Sequence, residues 1–267
     1  MDSCGFFEFR VRRLSDNALQ SKTKQHSMTE TQPPNAIVEP HTTNQAPGAA
    51  SPRLTSYAHL ALEPFSFMVI DTDQAAKFWG VEAPASARMH RYSRDFFATC
   101  SAQNHRGLAD WRLVPIFGLS LFDQDDLMRR KHGDKRHTFN RQYPWWLNDR
   151  ERALASGRFT PGVYLMDFMG QFPNTDQATQ ELLIPKYGAS FIRAPAQMFA
   201  EAQILTEGVT GDRLAGEFFH RSSSLDSNGH TVCVGTNNGL GIKLMSIPPT
   251  HPGVSNHRVC LYRKFDY

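Results

Sequence analysis

The chain has 267 residues, 40% of them hydrophobic and 11% aromatic, enough to bury a sizeable core in one domain or two small ones. Its formal charge of +3 is too slight to imply a nucleic acid or a membrane surface unless Lys and Arg cluster locally. Apolar runs such as Val163 to Met166 fall far short of the roughly 20 residues that span a bilayer, so no membrane-crossing helix is expected.

The opening MDSCGFFEFRVRRL breaks its apolar stretch with Glu8 and Arg10 and puts the basic cluster after it, the reverse of a signal peptide. Cys4, Cys100, Cys233 and Cys260 are too few and too scattered for a secreted disulfide framework, which points to reduced thiols and a cytoplasmic setting. No aromatic residue occurs from Arg10 to Ser56, where Pro33, Pro34, Pro40, Pro47 and Pro52 sit among Thr, Gln, Asn and Ala. Such a composition buries too little apolar surface to offset the entropy of ordering, so residues 1–53 are expected to be a disordered, flexible tail. Phe7, Phe9 and Val11 alternate with charges and could add a strand. Met28 offers a second start of translation, however, and residues 1–27 read more simply as an unstructured or spurious extension. Residues 54–267 are read as one globular domain, with 145–160 as the place where it would subdivide.

In chain order, TDQAAKFWG predicts a short helix begun by Thr72 or Asp73 and stopped by Gly80. FDQDDLMRRKHG predicts another, with Asp123 as cap, Gly133 as terminator, and Asp125–Arg129 and Asp126–Arg130 as i,i+4 pairs. LNDRERALASG is a third, capped at Asn148 or Asp149 and closed by Gly157. PGVYLMDFMG, residues 161–170, is apolar on both alternating faces and suits a strand buried on two sides. NTDQATQELLI places Asn174 and Gln177 at capping-box spacing, with Pro185 to kink or end the helix. A helix from Pro195 would put Met198, Phe199, Ala202 and Leu205 on one face, and GDRLAGEFFHR would continue the helical layer.

The period then changes. Val232 and Val234, the turn residues Asn237 to Gly239, and Leu240, Ile242 and Leu244 predict a hairpin. Val259 and Leu261 repeat the alternation and would complete a meander. The expected class is α+β, with short helices on a mixed or antiparallel sheet and a C-terminal β-meander.

No motif of high specificity accompanies these elements. GTNNGLGIK lacks the spacing of a phosphate loop and opens into a strand. HTVC at 230–233 and HRVC at 257–260 offer zinc ligand types, but residues three apart on a strand face opposite ways, so no metal is expected. Asp167 interrupts the face of Val163, Leu165 and Met169, and a carboxylate there must be paired, hydrogen-bonded or protonated. Arg193 and Arg213 are its candidate partners; a catalytic reading makes Asp167 a general acid or base with Glu201 or His220 nearby. His220 reads more simply as a residue at a helix C-terminus. Lys135, Arg136, Arg141, Tyr143, Trp145 and Trp146 interleave charge with aromatic rings, as a groove for single-stranded nucleic acid would. The plainer reading is a solvated loop leading to a Pro-Trp-Trp anchor in the core.

The sequence therefore points to a soluble intracellular protein that acts by binding, of unread specificity, with no cofactor and no identifiable catalytic centre. A weak polyanion or a protein is the partner class that the 135–146 segment suggests. The competing class is a hydrolase, with nucleic acid as one candidate substrate, using Asp167 and that segment.

Overall fold

A strand buried on both faces organises the structure. The computed structural model describes residues 68–83, 94–133, 138–142, 144–188, 190–213, 218–236, 240–252 and 256–263. The expected tail 1–53, the Phe6 to Arg12 strand, Lys135, Arg136, Tyr143, Leu214 and the Asn237 to Gly239 turn lie outside them. The elements are β1 (Met68–Val69), α1 (Thr72–Trp79), α2 (Arg94–His105), β2 (Trp111–Ile116), α3 (Leu121–His132), α4 (Arg152–Ser156) and β3 (Gly162–Asp167). They continue as α5 (Gln177–Tyr187), β4 (Phe191–Arg193), α6 (Ala196–Thr210), β5 (Phe219–Leu225), β6 (Thr231–Gly235), β7 (Leu244–Ile247), β8 (His257–Val259) and β9 (Leu261–Arg263). Two sheets form, one in the order β1-β2-β3-β9-β4 and one in the order β7-β6-β5-β8. Both are mixed, because β1 runs parallel to β2 and β8 parallel to β5 while the remaining pairs are antiparallel. The class is α+β, and no described helix is long and apolar enough to cross a membrane.

All six residues of β3 are buried, and the two-residue period of a strand sends them into two cores. Val163 and Leu165 join Trp111, Leu113, Ile184 and Leu261 on one side; Tyr164 and Met166 join Val114, Phe199 and Leu205 on the other. Helix α6 explains the second core. From Ala196 to Thr206 every residue is buried, as expected of a helix that packs against β2 of one sheet and against β5 and β6 of the other.

Local signals placed most boundaries correctly and some caps wrongly. Asp71, not Thr72 or Asp73, caps α1 and forms the capping box with Gln74. Ser120 caps α3, with Asp123 as the reciprocal third residue; Asp126 pairs with both Arg129 and Arg130, while Asp125 turns to Arg141. Asp176 caps α5, and Pro185 sits inside a helix that continues to Tyr187. The helical layer expected to continue through 211–221 is replaced at its described ends, since Gly211 is left-handed (φ 77°) and closes α6 and Phe219 to Leu225 is strand, while residues 214–217 lie outside the described ones. The meander is β5-β6-β7, built without the C-terminal strand. HRVCLYR instead bridges the sheets, β8 beside β5 and β9 between β3 and β4. A continuous alternation carries no mark of which sheet it will join.

The two tryptophans of the Pro-Trp-Trp stretch are structural. Trp146 is 1% exposed and packs on Phe139, ring centroids 5.1 Å apart, and on Phe122. The indole N–H of Trp145 donates to the Leu244 carbonyl at 2.8 Å.

Backbone constraints make one expectation sharp. A Cβ on Gly118, at φ +75°, would meet the Phe159 carbonyl oxygen at 2.4 Å, whereas one on Gly107, at φ +65°, would meet nothing within 4 Å. Gly118→Ala is expected to cost ~2–4 kcal/mol and Gly107→Ala only ~1 kcal/mol, the left-handed penalty alone. Trp146→Ala should cost about 3–5 kcal/mol as a core truncation. Urea denaturation of the three variants checks this; equal losses at the two glycines would contradict the packing described.

Candidate functional site

The three titratable residues proposed for catalysis are buried separately. Asp167, 0% exposed, ends β3, and its carboxylate accepts from the amides of Asp110 at 2.9 Å and Met169 at 3.1 Å and from the Gln171 side chain. Neither arginine offered as its partner reaches it, since Arg193 pairs with Glu181 and Arg213 with Glu207. A hollow of about 450 Å³ lies over Asp110 and Met169, but the carboxylate beneath is covered. Glu201, also 0% exposed, accepts from the amides of Phe117 and Leu119. His220 lies in β5, not at a helix end; its ring is tilted against that of Phe199, centroids 4.5 Å apart, near the Met169 and Val234 backbone. Among the described residues no hydrogen bond or ion pair links any two of the three.

Their ionisation follows from burial. Desolvation raises Asp167 from 3.8 to about 6, opposed by Gln171 and the two amides, and raises Glu201 from 4.5 to about 8, opposed by the amides of Phe117, Gly118 and Leu119. Desolvation, with Arg258 adding to it, lowers His220 from 6.5 to about 3 and leaves the imidazole neutral. The thiols of Cys100 and Cys233 are pushed up by burial to about 12, far from the thiolate that a nucleophile or metal ligand needs. No group of three or more metal-ligating side chains occurs among the described residues.

The basic and aromatic segment is only partly in view. Arg141 is tied to Asp125, and Trp146 faces inward. Phe139 and Trp146 are buried, and Trp145 is half-buried.

An open, lined groove lies elsewhere, where α5, β4 and β5 meet. It has a volume of about 600 Å³, and Gln177, Glu181, Ile184 and Pro185 contribute one side of it. Their spacing puts all four on one face of α5. Phe191 to Arg193 of β4, Ser222, Ser223 and Leu225 of β5 and Tyr262 of β9 complete the lining. The seam is fixed by backbone: Ala194 N–H donates to Cys260 at 3.0 Å, and Ser223 N–H to the Ala194 carbonyl at 3.0 Å.

Arg193 is the unusual member. It is 6% exposed, and Nε, Nη1 and Nη2 are all buried without a hydrogen-bond partner. The Glu181 carboxylate lies 2.9 Å from Nη2, close enough for an ion pair but without the alignment of a hydrogen bond. Burial lowers the Arg193 pKa; Glu181 works against that and Arg221 adds to it. A guanidinium nevertheless stays charged in proteins. Arg221 is 1% exposed and spends its donors on the carbonyls of Thr175 (2.9 Å) and His251 (3.2 Å). The groove can therefore offer an acceptor one charged, unsatisfied fork. It offers no nucleophile with a base: the Ser222 hydroxyl donates to the Val232 carbonyl at 2.7 Å, and no histidine is among the described lining residues.

Sequence reasoning passed over this groove because Arg193 was weighed only as a partner for Asp167. Its signal was an arginine between Phe191, Ile192, Ala194 and Pro195, as anomalous in an apolar run as Asp167 in its own. No protein-family model matches the chain, and neither a curated protein nor a solved structure does.

The buried acids set a pH dependence. Asp167 and Glu201 bind their protons more tightly folded than unfolded, so what they contribute to stability is fully present below about 4. It is lost as pH rises through about 6 for Asp167 and about 8 for Glu201. His220 has the opposite sign, its contribution present above 6.5 and lost as pH falls through about 3. Asp167→Asn keeps an acceptor for both amides and removes the titration. Between pH 4 and pH 7 the parent chain should lose ~1–3 kcal/mol relative to that variant. Parallel stability curves in urea would refute the assignment.

Proposed function

We propose that this protein acts by binding a small organic ligand in the groove around Arg193, and that Asp167, Glu201 and His220 serve the fold. One observation carries the reading: a guanidinium more than nine-tenths buried, with all three nitrogens lacking hydrogen-bond partners, lines a groove of about 600 Å³. That volume is in the range of small-molecule sites, which combine an apolar lining with a few polar groups that fix orientation. Ile184, Pro185, Phe191 and Leu225 supply the first, Arg193, Gln177 and Ser223 the second. A hydrolase using Asp167 finds less support, because a general acid or base must come within hydrogen-bonding reach of its substrate and this carboxylate is fully covered. A cytoplasmic setting is consistent with Cys100, Cys233 and Cys260, all free thiols.

Titrating the isotope-labelled chain with a mixed library of neutral, cationic and anionic fragments tests this by amide NMR. Saturable shifts should cluster in 177–193 and 222–225. Shifts confined to other surfaces, or none with any fragment, would defeat the proposal.

A further inference from the structure

We propose that the ligand is an organic monocarboxylate with an apolar tail, bound by Arg193 once the Glu181 carboxylate has been displaced from it. This deepens the binding reading and rests on it.

The guanidinium side of the argument is one of unmet demand. A buried donor without an acceptor carries its full desolvation cost, and Arg193 holds Nε, Nη1 and Nη2 in that state. Such an arrangement gains from any acceptor that can align with the fork. A carboxylate matches it with two parallel N–H···O bonds. Glu181 shows that a carboxylate reaches this position, at 2.9 Å from Nη2. It does so without the alignment of a hydrogen bond.

Glu181 is also easily removed. Its side chain is 58% exposed, against 4% for Arg193, so the carboxylate is already largely hydrated and can turn into water. Arg193 itself stays buried, so the exchange proceeds as the incoming carboxylate replaces the charge that Glu181 withdraws. The resident acid is therefore an exposed internal competitor for a buried cation.

The remaining lining selects the rest of the ligand. Ile184, Phe191 and Leu225 border the groove, and Leu225 is 53% exposed, so an alkyl or aryl tail laid across it would remove apolar surface from water. One anionic charge suits the site better than two. Arg221, the nearby second guanidinium, is already committed to the Thr175 and His251 carbonyls. A phosphate dianion would leave a charge unmatched beside Glu181, in a partly desolvated groove.

The test uses hexanoate, hexanol and inorganic phosphate, each titrated into the full chain at constant ionic strength and followed by amide NMR and calorimetry. Hexanoate should saturate and shift the amides of Glu181, Arg193 and Leu225, with hexanol weaker by about tenfold or more and phosphate inactive there. Glu181→Gln should tighten hexanoate about threefold to tenfold by removing the competitor. Arg193→Gln should erase the preference of hexanoate over hexanol. Because Arg193 is buried and that variant can fail to fold, the Glu181 variant decides alone in that event, and unchanged or weaker binding in it overturns the proposal. Hexanol or phosphate binding in the groove as tightly as hexanoate overturns the carboxylate assignment while leaving the binding reading standing. If hexanoate and hexanol both leave the groove unchanged, the carboxylate proposal fails; only an equally silent fragment library brings down the reading beneath it.

Discussion

Glu201 holds the backbone of Phe117 to Leu119 from the middle of α6, and the arrangement of the two sheets depends on that contact. A carboxylate at 0% exposure is tolerable only with its lone pairs engaged, and the amides of this loop engage them. Gly118 makes the convergence possible: its positive φ turns successive amides toward one point, and the Phe159 carbonyl leaves no room for a Cβ. The same loop carries β2 into the Ser120 cap of α3. The Gln124 side chain then ties α3 back to α6, donating to the carbonyls of Leu119 at 2.9 Å and Gln197 at 3.0 Å. Helix α6 is thus pinned by polar bonds at a point where its apolar surface alone would let it slide.

That pinning reaches the groove through three residues. Arg193, Ala194 and Pro195 lead from β4 directly into α6, and the backbone of Ala194 is bonded on one side to Cys260 and on the other to Ser223. The guanidinium therefore stands on a rigid seam, with its cost of ordering met by the fold. Glu181, on the groove face of α5 and 58% exposed, has no such constraint. A fixed cation beneath a movable anion is a preorganised acceptor site, in which little conformational freedom remains to be lost on binding.

What the sequence disclosed was local. The strand at 162–167 was legible because apolar residues on both alternating faces demand two cores, and the short helices because Gly80, Gly133 and Gly157 end them. Trp146 was recognisable as an anchor from its size and company. Pairings between distant segments were not legible: nothing in HRVCLYR distinguishes β8 from β9, and Phe219 to Arg221 read as helix because the partners β6 and β8 that make it a strand are far along the chain. The site suffered from the same limit. Asp167 drew attention as a charge in an apolar run, yet the groups that satisfy it come from residues 110, 169 and 171, two of them backbone amides with no sequence signature. Arg193 had an equal anomaly, and only the meeting of α5, β4 and β5 shows that its donors go unmet.

The most direct measurement is the side-chain Nε–H resonance of Arg193, observed in a nitrogen-edited NMR spectrum before and after saturation with hexanoate. A donor without a partner that gains a carboxylate should move downfield and become slower to exchange, while the other arginine Nε–H signals stay in place. An Arg193 signal that does not respond while hexanoate fills the groove would contradict the account.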